Sequence, residues 1–293
     1  MRHLGAAYVA GVIVPLVLAA QQPPPAQAAA EGWDSAVRMF VASAREGTAR
    51  YADRANAVTD GYRAIGVESP GMGQHWVHVG RLLAGRLDAA HPQILNYAAV
   101  GGRPMLVGVG YAIPAHDTVE LPSAPISRSH WHFHGSTVED EELLPTHRMA
   151  GMSDTALRIA VLHAWVWVDN PEGLFTPDNW ALPWVRLGLA PPPGTPVDAS
   201  RAISLASGGE DYFAALLAHV GRADTDATRQ IRAVLVEARA DLEVRARSLA
   251  REGHVTAADI DWLTDRWAAM WRDLERAVPD GVWAAMRNVR DTH

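Results

Sequence analysis

Residues 156–168, "ALRIAVLHAWVWV", hold one charged side chain and one imidazole in thirteen positions. A run that is apolar on both alternating faces and rich in Val and Trp reads as a strand covered on both sides. A chain built around such a strand needs material above and below it. Upstream, "QILNYAAVGGRPMLVGVGYAIP" consists of two apolar runs with Gly101 and Gly102 between them, the pattern of a β-hairpin. Nearer the start, Val37, Phe40, Val41 and Ala44, then Tyr51, Ala55, Val58 and Tyr62, recur at helical spacing. Residues 33–67 therefore read as one long or two consecutive amphipathic helices, with Gly47 as the break.

Beyond the strand, "LAPPPGTP" has four prolines in eight residues and cannot continue a helix or a ladder. The chain then turns helical. Ile231, Val234, Leu235, Ala238, Leu242 and Leu249 form one stripe. Thr256 and Asp259 make a capping box ahead of a second stripe, Ile260, Leu263, Trp267, Met270, Trp271 and Leu274. This aromatic stripe reads as core rather than as a cofactor box. The expected class is α+β: N-terminal helices, a central mostly antiparallel sheet and a C-terminal helical hairpin or small bundle. The expected divisions are a signal peptide at 1–28, an α+β domain at 31–190, a Pro-rich linker at 191–200 and a helical region at 201–293.

Composition narrows the chemistry. All 26 basic side chains are Arg, against 33 acidic ones, so no basic stripe for phosphates is expected and nucleic acid is not an expected partner. The opening "MRHLGAAYVAGVIVPLVLAA" has an early Arg, an apolar run and small residues before "AQAAA", which reads as a cleaved export signal. Membrane attachment is expected only through that segment if it stays uncleaved. Zero cysteines exclude disulfides, a thiolate nucleophile and a Cys-ligated metal. There is also no nucleophile elbow, phosphate loop or dinucleotide fingerprint.

Histidine carries the strongest functional signal, since nine of thirteen lie between His75 and His163. Clustered imidazoles without thiolates suit a transition metal ion such as Zn, Cu or Fe. Alternation in a strand puts His132 and His134 on one face but separates His75 from His78 if "GMGQHWVH" is extended throughout. His163 is either a buried, hydrogen-bonded residue or a ligand. The carboxylates after "HWHFHGS" read two ways. Ser136 with Glu139 and Thr137 with Asp140 match capping boxes, and otherwise Glu139 or Glu142 serves as fourth ligand or general base for a bound water. The expected set is His75, His132, His134 and His163, with Glu139 or Glu142; His78 and His147 rank behind. Trp180 and Trp184 read as packing.

In order, "DGYRAIG", "GMGQHWVH", "HPQILNYAAVGGRPMLVGVGYAIP", "HWHFHGS", "LHAWVWVDNPEGLF" and "PDNWALP" resemble a family of uncharacterised exported bacterial proteins, over about residues 48–190. A branch of that family has Asn where His78 stands. The resemblance implies no activity. It implies that His75 and His163 matter more than His78, and that "NPEGLF" frames the site. Two main functional readings stand: a metal-dependent enzyme, hydrolytic or redox, and a non-catalytic exported protein that binds a metal or small ligand. A structural cell-envelope module is the third.

Overall fold

A computed structural model of the chain describes residues 34–115, 121–122, 125–134 and 158–292. The apolar N-terminal run lies outside them, and no described helix is long and apolar enough to cross a membrane. The chain begins with α1 (Ser35–Thr48), capped by the Asp34 carboxylate on the Val37 amide. A 3-10 turn (Ala49–Ala52) and α2 (Arg54–Thr59) follow. The helix therefore breaks after Gly47 rather than at it. Gly47 lacks a side chain because the backbone of Ala90 runs against it, so close that a Cβ would overlap the carbonyl oxygen.

Six strands form one curled antiparallel sheet in the order β1-β2-β3-β4-β6-β5, as an α+β fold requires. They are β1 (Arg63–Ser69), β2 (Gly73–Val77), β3 (Ile94–Val100), β4 (Arg103–Ala115), β5 (His132–His134) and β6 (Arg158–Ala164). Between β2 and β3 lies the short helix α3 (Val79–Ala84). The hairpin expected at Gly101-Gly102 is β3–β4, and both glycines hold the positive φ, 55° and 75°, that a two-residue hairpin turn needs. Strand β6 lies between β4 and β5, with a covered face on each side, as its composition requires.

Strand β1 corrects the sequence reading, which extended the N-terminal helices through Val67. It is an edge strand, mostly exposed, so it carries no buried alternation that could announce it. Its pairing with β2 is interrupted between Ile65 and Ser69, where Gly66 adopts φ 62°.

The two faces of the sheet differ. The outer face buries Leu95, Tyr97, Leu106, Val109, Tyr111 and Leu162 against Phe40, Val41 and Ala44 of α1. The inner face carries Val77, Ile94, Ala112 and Val161, closed by Leu82 of α3. After β6 come α4 (Leu182–Arg186), α5 (Val197–Ser204), a π-type turn (Leu205–Gly209), α6 (Glu210–Val220), α7 (Thr225–Glu252), α8 (Ala257–Ala277) and α9 (Asp280–Thr292). Both expected stripes face a common core, and the Thr256–Asp259 capping box forms in full. That core also takes in Trp184 and Leu189, so helical packing begins before the prolines.

Candidate metal centre

Cross-strand register aligns the site. His75 on β2 pairs with Asn96 on β3, which pairs with Gly108 on β4; Gly110 on β4 pairs with His163 on β6, and Val161 pairs with His132 on β5. Paired residues point to one face, so His75, Asn96, His163 and His132 all occupy the inner face. His75 and His163 are three strands apart, about 14 Å along a flat sheet. Their ring centroids are nevertheless 5.5 Å apart and the rings meet edge to face. Curling of the sheet draws the inner side chains together. Glycine at 108 leaves room for the Trp165 ring, which a Cβ would meet at 2.9 Å, and glycine at 110 leaves room for Ile94, which a Cβ would meet at 3.0 Å.

His132 completes a row, with its ring 5.3 Å from that of His163. His75 is 7% exposed and His163 2%. Trp165 flanks the central ring of the row, 6.0 Å from His163 and anchored by its indole N–H on the Thr176 carbonyl oxygen. Among the described residues no group of three or more His, Cys, Asp or Glu side chains is arranged to hold a metal ion. The three imidazoles form a row rather than a closed shell.

His78 does not join them. Alternation turns it to the other side of β2, where its ring meets Tyr62 edge to face. Its Nδ1 accepts the Arg81 amide at the start of α3, so this imidazole is a helix cap. His130 likewise lies apart, against Phe175. The backbone of His134 belongs to β5, opposite Ile159, while its side chain lies outside the described residues. Glu139, Glu142 and His147 lie outside them as well.

Asn96 is the residue that sequence reasoning missed. It is 1% exposed, its amide donates to the Met72 carbonyl oxygen at 3.1 Å, and its Oδ1 is buried without a hydrogen-bond partner among the described residues. A buried acceptor left in that state is unfavourable. The signal was present in "ILNYAAV", where one amide interrupts an otherwise apolar strand.

The turn after β6 locks the row in place. The Asn170 amide donates to the Thr176 hydroxyl and to the Asp178 carbonyl oxygen, and its Oδ1 accepts the Glu172 amide. Asn179 donates its side-chain amide to the Asp169 carbonyl oxygen, and its backbone amide to the Gly71 carbonyl oxygen at 2.7 Å. That last bond ties the turn following His163 to the loop preceding His75. Beside it sits the half-buried Asp178, whose carboxyl is pushed up to about 6 by burial against the opposing pull of Arg201. Tyr212, bonded to Ser69 in the same loop, is pushed up to about 12, again mainly by burial.

No family model, curated protein or solved structure matches the chain.

Proposed function

We propose that this is an exported protein that binds a transition metal ion, Zn, Cu or Fe, through His75, His163 and His132 on the inner face of its sheet. The observation that carries this reading is the convergence of imidazoles from β2, β6 and β5 at centroid separations of 5.5 and 5.3 Å. A metal on an imidazole nitrogen stands about 3.2 Å from the ring centroid, so two imidazoles sharing it at a tetrahedral angle have centroids about 5.2 Å apart. Each neighbouring pair has that spacing. Bringing all three onto one ion requires His75 and His132 to close on each other beside His163, a side-chain rearrangement that goes beyond rotation about the terminal torsion. Pure packing is poorly served by this choice, since burying an imidazole has a desolvation cost that Leu or Phe would avoid.

Elemental analysis of the mature protein, purified without a His-tag, tests the reading beside His163→Ala. The expected result is about one equivalent of one metal per chain, lost on chelation and absent from the variant. A wild type that stays metal-free after reconstitution with Zn, Cu and Fe overturns it.

A further inference from the structure

We propose that the side-chain oxygen of Asn96 is a ligand of the metal ion, an oxygen donor set among the imidazoles. This role rests on the metal reading above and adds a donor to it. Asn96 is 1% exposed and pairs directly with His75 across β2 and β3. Partners on one face of an antiparallel pair have Cβ atoms about 4.5–5.5 Å apart. Amide and imidazole both branch at Cγ, so at that spacing their polar atoms come within reach of a common ion. The other end of the amide sets its orientation. Nδ2 donates to the Met72 carbonyl oxygen at 3.1 Å, and turning the amide over would set two acceptors against each other. Oδ1 is therefore the end left without a hydrogen bond among the described residues.

The surroundings of Asn96 narrow what that oxygen can meet. Along the inner face lie Val77, Ile94, Ala112 and Val161 on one side of it, and Ala98, Val107, Trp165 and Leu182 on the other. The ring of Trp165 occupies the space over Gly108, the β4 partner of Asn96, but its N–H is already given to Thr176. The imidazole row is the polar neighbour that remains. An oxygen placed to orient His75 would accept its ring N–H with or without a metal, and Oδ1 makes no such bond. A ligand oxygen meets its partner only when the ion is bound. Buried indole N–H groups such as that of Trp131 also lack a partner, but each is one donor on a large apolar ring inside an apolar core. Asn96 instead buries a strong acceptor with two lone pairs beside metal-binding side chains. An amide oxygen among imidazoles favours a divalent ion over Cu(I), which prefers thiolate and thioether donors.

Titration of the full chain with Co²⁺, read by its ligand-field absorption and by competition with a chelator, tests the assignment beside His163→Ala. Asn96→Leu is expected to bind Co²⁺ at least about tenfold more weakly and with shifted ligand-field bands, because an oxygen donor is lost. Asn96→Asp, which supplies a charged oxygen, is expected to bind at least about tenfold more tightly. Unchanged affinity or unchanged bands in Asn96→Leu, with binding abolished in His163→Ala, overturns the role of Asn96 and leaves the metal reading standing. A wild type that binds no Co²⁺ overturns both. Should Asn96→Leu fail to fold, Asn96→Asp decides, and wild-type affinity there overturns the proposal.

Discussion

The two faces of the sheet differ in the polar groups that they bury. On the outer face three tyrosine hydroxyls donate to backbone carbonyls, Tyr62 to Pro92, Tyr97 to Tyr51 and Tyr111 to Ala89, and the Tyr51 hydroxyl donates to the Asp60 carboxylate. Those bonds bind loops and helices to the sheet, whereas the buried Trp131 N–H in the same core has no hydrogen-bond partner among the described residues. The inner face holds a row of imidazoles, and beside them the Asn96 oxygen, which has no hydrogen-bond partner among the described residues. A polar group placed to hold the fold finds its partner inside the chain.

Substitutions on the outer face should therefore reduce stability and spare binding, with the reverse on the inner face. The largest effect is expected for Leu162→Ala, fully buried on the outer face: a loss of about 2–5 kcal/mol by urea denaturation, with metal content per folded chain unchanged. Metal lost with Leu162→Ala, in protein still folded by circular dichroism, would break the contrast. Next comes Asp178, whose folded carboxyl titrates near 6 and so holds more protons than the unfolded chain between about pH 4 and 6. Stability should fall as pH rises through that window, by about 1–2 kcal/mol once partial exposure is discounted, and Asp178→Asn should flatten the profile. Tyr97→Phe removes one buried bond to the Tyr51 carbonyl oxygen and should cost about 1 kcal/mol at every pH. Asn96→Leu should change stability least, within about 1 kcal/mol, because losing the bond to Met72 is offset by removing an orphaned acceptor. A loss of several kcal/mol from Asn96→Leu would place that residue with the outer-face tyrosines.

The parts legible in the sequence were those written in short-range spacing. The Gly101-Gly102 turn, the stripes of α7 and α8, the Thr256 cap and the opposite facing of His75 and His78 are all settled within a few residues of chain. What stayed hidden depends on neighbours distant in sequence. That β1 is a strand follows from its pairing with β2, since most of its side chains remain in water. The meeting of His75 with His163 needs the curl of the sheet, and no local pattern near either histidine encodes that. Asn96 shows in the sequence only as an amide within an apolar strand, and the lack of a hydrogen-bond partner for its oxygen depends on what the fold packs around it.

The interruption in β1 has a consequence at high protein concentration. An open strand edge is a template on which a second chain adds, and repeated addition leads to fibrils. At Gly66 the ladder loses its regular spacing, and the bend leaves an incoming strand no continuous row of amides and carbonyls to match. The irregularity that hides this strand from sequence reading thus also guards crowded molecules against self-association along that edge.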